Sequence, residues 1–166
     1  MDIISEENYR DYDLDWFFKI GDGYFHAASA GGELPEAIIR HFEKYSEIMQ
    51  VVSRIPSEYE PIIDNQKILE HLQLGDGENQ EGYDAFVLMF KGMAMKGFYS
   101  FDKQRITDPD DNNYILVAEP DLRLKTKPEF FELDGLIPCF QANELDLSEP
   151  IDLFTLVSDN CRVGNH

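Results

Sequence analysis

The stretch that most limits the possible folds is residues 14–29, where two alternating runs flank Gly21-Asp22-Gly23. Leu14, Trp16, Phe18 and Ile20 alternate with Asp15, Phe17 and Lys19, the period-2 rhythm of a strand. Asp-Gly is the pair a type I′ hairpin turn prefers, because both central residues take positive φ. Tyr24 to Ser29 is then the return strand. With Asp22-Gly23 as the turn, Ile20 faces Phe25, Phe18 faces Ala27 and Trp16 faces Ser29, while Lys19 and His26 meet on the other side.

The ribbon needs a cover for its apolar face, and the next segment supplies one. After the break at Ala30-Gly31-Gly32-Glu33, Leu34, Ile38, Phe42, Tyr45, Met49 and Val52 recur at helical spacing, with Pro35 in the first turn and Pro56 beyond the end. A second helix is expected over Asp64 to Gln73, with Ile68, Leu69 and Leu72 inward. A polar loop over Gly75 to Gly82 leads to a buried helix from Asp84 to Lys96 that Gly97 closes. Strands are expected at Phe98 to Lys103, Tyr114 to Glu119, Leu122 to Thr126 and Ile151 to Val157. Phe130 to Leu133 and Leu136 to Phe140 flank Asp134-Gly135 as a second hairpin, with Pro138 forcing an edge position. Helices in the middle and strands at both ends predict one α+β domain over residues 1–166, a largely antiparallel sheet packed against two or three α-helices. Residues 1–12 are polar and are expected to be flexible.

Charge decides which partners are open to such a domain. The chain has 33 acidic against 14 basic residues, a formal net charge of −19. Its apolar fraction of 43% is too high for a disordered polyelectrolyte, so the charge decorates a folded body. Nucleic acid and anionic membrane surfaces are excluded as partners by the absence of a basic footprint. No apolar run approaches the ~20 residues of a membrane span. No basic stretch leads into an apolar run at the start, so the expected location is cytoplasmic. Cys139 and Cys161 are too few for a disulfide framework and are not spaced as a zinc or redox pair.

The excess is unevenly placed: residues 16–57 are nearly neutral at −1, whereas 1–15 carry −5, 58–84 carry −7 and 129–166 carry −7. Acidic surfaces of this kind speed and select association with basic proteins. The candidate binding residues are Asp11, Asp13, Asp15, Asp76, Glu78, Glu81, Glu144 and Asp146. The Arg123, Lys125 and Lys127 stripe is expected to pair with Glu129 or Glu132. Asp108, Asp110, Asn112 and Glu119 fit positions 1, 3, 5 and 12 of a calcium loop, although Asn113 replaces its glycine and Pro120 denies the exiting helix. No GxSxG, HExxH or CxxC motif frames any of His26, His41, His71 and His166; a hydrolase centred on His26, with Ser29 and Glu33 as its trio, or on His71 is a further competing reading. The reading is a non-catalytic acidic domain that docks on a basic protein, a bacterial immunity protein or inhibitor being one instance, with no cofactor. A calcium- or small-ligand-binding domain, and a purely structural domain, are the alternatives.

Overall fold

The computed structural model describes residues 4–141 and 145–160. Its centre is the expected ribbon, β1 (Asp15–Ile20) against β2 (Gly23–Ala28). The register is set two residues away from the expected one: Ile20 pairs with Gly23, Phe18 with Phe25, Phe17 with His26 and Trp16 with Ala27. Positive φ falls on Gly21 and not on Asp22, the glycine-first pattern of a type II′ turn. An even shift keeps every side chain on its predicted face. His26 therefore meets Phe17 rather than Lys19, which lies opposite Tyr24.

β4 (Phe98–Lys103) lies parallel to β2, and β5 (Asn113–Pro120) returns antiparallel to it through a bulge at Ser100/Phe101. Three two-residue strands complete a seven-stranded sheet: β3 (Pro61–Ile62) and β7 (Ile151–Asp152) pair opposite ends of β5, and β6 (Cys139–Phe140) pairs parallel with β1. The domain is α+β as expected, and the sheet is mixed because two of its pairings are parallel. Parallel pairing needs crossovers, and here these put helices on both faces.

One face of the sheet carries Trp16, Phe18, Phe25 and Phe101 under α1 (Glu36–Ile39) and α6 (Leu153–Asn160). The other carries Phe17, Tyr24 and Phe98 under α2 (Tyr45–Arg54) and α5 (Phe131–Asp134), and Ile115 and Val117 under α3 (Asn65–Leu72) and α4 (Gln80–Lys96). Each of these large side chains contributes about 1.5–3 kcal/mol on burial. This explains why the helix expected over residues 34–52 is divided. Ala37 and Ile38 belong to the first face and Ile48, Val51 and Val52 to the second, which one straight rod cannot serve. A 3-10 turn at Phe42–Lys44 makes the passage, with the Phe42 and Tyr45 rings stacked at 5.4 Å.

α3 follows the expected bounds closely, whereas α4 ends where expected but starts at Gln80, four residues earlier and inside the expected loop. Asp64 caps α3 by accepting from Lys67 N at 3.1 Å, Asn79 caps α4 by accepting from Gly82 N, and Gly97 ends α4 at φ +108°. Three expected strands are corrected. Residues 122–126 form no strand; Arg123 folds back onto Asp121 instead. Asp134-Gly135 is no hairpin turn, because the Tyr24 hydroxyl accepts from Phe130 N and donates to Asp134 Oδ1 at 2.6 Å, winding 131–134 into a helical turn. Beyond Asp152, its carboxylate accepts from Thr155 N and Oγ1, an N-cap that starts α6 where a strand was expected to continue. Pro138 does adjoin an edge strand, since β6 ends the sheet. Ahead of β1, Tyr9 is buried and Arg10 forks onto Glu33 at 2.6 and 3.0 Å.

Candidate functional site

Two histidine–carboxylate pairs are built into the second face of the sheet. Asp15, His26 and Ser100 come from the adjacent strands β1, β2 and β4; the registers set His26 opposite Ser100 and put Asp15 on the diagonal, opposite Ala28. His26 Nε2 lies 2.7 Å from Asp15 Oδ1, and Nδ1 lies 2.7 Å from Ser100 Oγ. A carboxylate accepts only, so it fixes the proton on Nε2 and leaves Nδ1 to accept from the serine hydroxyl. The residue types are those of a nucleophilic triad, but His26 and Ser100 are both 0% exposed. A nucleophile must meet its substrate, so this row is a buried polar network. The trio suggested by sequence proximity does not form. Ser29 instead accepts from Leu14 N at 2.8 Å, and Glu33 binds Tyr9 and Arg10.

The second pair opens outward. His71 on α3 lies 3.0 Å from Asp102 Oδ2 on β4, and their side chains are 5% and 6% exposed. The ring lines a groove of about 560 Å³ between α3, the residues following β4 and the segment before β7. Lys67, Glu70, Gln104, Arg105 and Ser148 share its walls, and Ile115 lies among them. A smaller cavity of about 230 Å³ shares Asp64, Lys67 and Ser148 and is bounded further on by Glu119. Burial raises the Glu119 carboxyl above its ordinary range, a shift that the Lys67 charge partly offsets.

The expected site residues do not converge on one place. Asp11 is exposed in a 3-10 turn, Asp13 accepts from Ala30 N at 2.8 Å, and Asp15 is committed to His26. Beside Asp15, burial pushes the Tyr45 phenol up to about 12. Asp76 is exposed, Glu78 accepts from Gly75 N, and Glu81 sits in the first turn of α4. Asp146 is held below the usual carboxylate range by the Ser148 hydroxyl and N–H. Glu144 lies outside the described residues. The four calcium-loop residues are not brought together. Asp108 accepts from Asp110 N in a local turn, whereas Glu119 lies five strand residues beyond Tyr114, about 17 Å along β5. Asn112 stays in the turn with Asp108 and Asp110. Among the described residues no group of three or more His, Cys, Asp or Glu is arranged to hold a metal ion. The basic stripe is paired, but with Asp121, Glu58 and Asp22 rather than Glu129 or Glu132.

The surface that sequence reasoning approached but did not assemble runs from residue 58 into α4. All eight carboxylates between residues 58 and 84 are exposed. On α4, Glu81, Asp84, Ala85 and Leu88 fall at i, i+3, i+4 and i+7, the spacing of one helix face. Leu88 is 69% and Met89 39% exposed. A Cβ built on Gly92 would meet nothing within 4 Å, so the same face stays open one turn further along. Among the described residues no helix is long and apolar enough to cross a membrane. Comparison with protein-family models, with curated proteins and with solved structures finds no match to this chain.

Proposed function

We propose that this chain is a non-catalytic binding domain whose acidic surface docks on a basic protein, an inhibitor of the immunity-protein type being the concrete instance. The observation that supports this reading is the apolar strip of α4 bordered by unburied carboxylates. An exposed leucine and methionine on one helix face cost nothing in a bound state that covers them, and clustered apolar surface is where protein interfaces form. The carboxylates around it attract a cationic partner over about 8 Å at physiological ionic strength and repel anionic ones. The chemistry also accounts for what the histidines do: His26 is sealed in the sheet, and its neighbouring serine meets no solvent.

The test is affinity capture of partners from a cell extract by the immobilised full chain at low and at physiological salt, run beside two variants. The triple reversal Asp76→Lys, Glu78→Lys, Glu81→Lys inverts the rim, and Leu88→Asp removes the apolar centre at an exposed position. Retention of a basic protein by the wild type, weakened by salt and lost in both variants, supports the reading. Retention of no basic protein at low salt, or equal retention by all three, overturns it.

A further inference from the structure

We infer that the groove between α3 and the end of β4 binds a small oxyanion that also carries a hydrogen-bond donor, the chemistry of a hydrogen phosphate group. The inference is independent of the docking surface on α4. It begins with His71, whose Nε2 lies 3.0 Å from Asp102 Oδ2; a carboxylate accepts only, so the neutral ring carries its proton on Nε2 and Nδ1 presents a lone pair. Nδ1 makes no hydrogen bond among the described residues. It is not sealed in either: among the described residues the fully buried side-chain atoms without a partner are Trp16 Nε1 and Asp111 Oδ2. An imidazole 95% enclosed, anchored at one nitrogen and open at the other, is a fixed acceptor facing the groove.

Arg105 supplies the complementary group. Arg10, Arg40, Arg54 and Arg123 each hold a carboxylate within 3.1 Å. The Arg105 guanidinium has neither an ion pair nor a hydrogen bond among the described residues, although the chain has 33 acidic residues to offer. It follows Asp102 by three residues, about 10 Å of chain, so its side chain can reach an anion seated at His71. Lys67 Nζ lies 3.5 and 3.4 Å from the carbonyls of Leu147 and Ser148, contacts long enough to exchange for a charged acceptor. The carboxylates on the same wall are turned along α3: Asp64 accepts from Lys67 N, and Glu70 accepts from Gln66 Nε2 at 3.0 Å. A hydrogen phosphate would donate its P–OH to Nδ1 and place its charged oxygens on Arg105 and Lys67. Sulfate has the same shape and charge but no proton to donate at neutral pH.

The experiment is a titration of the full chain with inorganic phosphate and, separately, with sulfate, at ionic strength held constant with sodium chloride. Backbone and imidazole NMR shifts of His71 and Gln104 are followed. The expected result is a saturable phosphate shift, at least about tenfold weaker with sulfate and weakened to a similar degree in Arg105→Ala, where tenfold corresponds to 1.4 kcal/mol. Arg105 is exposed, so its replacement leaves the fold in place, which the remaining resonances report. Any of three results overturns the inference. These are no saturable shift up to about 50 mM phosphate, a concentration that fills even a millimolar site, equal binding of sulfate, or unchanged binding in Arg105→Ala.

Discussion

Consider the change Ser100→Ala. The serine hydroxyl donates to His26 Nδ1 at 2.7 Å, and neither residue is reached by solvent. The ring is packed between Phe17, at 5.3 Å, and Phe90, at 6.2 Å. Alanine fits the space of serine without creating a cavity a water could fill, so Nδ1 is left as a buried acceptor with no donor. An orphaned buried group costs about 1–3 kcal/mol, and complete enclosure argues for the middle of that range, about 2 kcal/mol. For a chain of this size each kcal/mol moves Tm by about 2–4 °C, so the expected fall is about 4–8 °C. Asp15→Asn should cost less, because its Oδ1 can still accept from Nε2 and its side chain is 25% exposed. Urea denaturation with an unchanged m-value, checked by calorimetry, measures both. If Ser100→Ala lies within about 0.5 kcal/mol of wild type, or if a fluorophosphonate labels Ser100 in the native protein, the row is not the sealed network described.

Two glycines in the α4 region should respond in opposite directions. Gly97→Ala forces a side chain into φ +108° and sets its Cβ 3.0 Å from Pro128 Cγ and 3.2 Å from Tyr59 Cε2, for a loss of about 2–4 kcal/mol from backbone strain and overpacking together. Gly92→Ala, inside the helix with open space around it, should gain about 0.5–1 kcal/mol; thermal melts of the pair separate them, and equal effects would contradict the assigned geometry. Glu119 gives a pH signature. Its folded pKa is raised by burial, so the folded state binds the proton more tightly and loses stability as pH rises through that range, regaining it as pH falls. Glu119→Gln should therefore raise Tm at pH 7, and the gain should vanish below about pH 4, where the carboxyl is protonated in both states; a gain that persists in acid would mean another cause.

Local signals in the sequence carried most of the elements, and they failed where distant residues decide. Asp64, Asn79 and Gly97 act on their own helix ends, so α3 and the end of α4 were legible. Asp134-Gly135 carries a turn signal of equal strength, yet Tyr24 and Lys19, more than a hundred residues earlier, hold Asp134 in a helical turn. The hairpin was legible as a hairpin, but its register depended on which of Gly21 and Gly23 took the positive φ. Phe17 and Phe98 together show why the sheet was underestimated: one alternating face was assigned to the core, whereas α2 and α4 bury the second face as well. The acidic stretch through residue 84 was visible as charge. That it borders Leu88 and Met89 depends on the angular setting of α4, whose apolar residues lie all round the helix. His71 and Asp102 are 31 residues apart, with no motif linking them, and only the tertiary fold, with α3 packed over β5 beside β4, brings them together.

The parallel pairing of β2 with β4 also sets an order of events during folding. Tyr24 meets Phe98 only after roughly seventy intervening residues have been placed, so loop closure over that distance precedes the main reward of sheet formation. β1 with β2, and β4 with β5, can each close locally as hairpins, giving two ribbons that must dock side by side. Until they do, β2 presents an unpaired apolar edge from Tyr24 to Ala28, the kind of edge that recruits another chain. On the ribosome that interval lasts several seconds, since about 5–20 residues are added each second. The region between the ribbons, which holds eleven exposed carboxylates, therefore spends its first moments as a charged tether beside a sticky edge, where its repulsion keeps nascent copies apart.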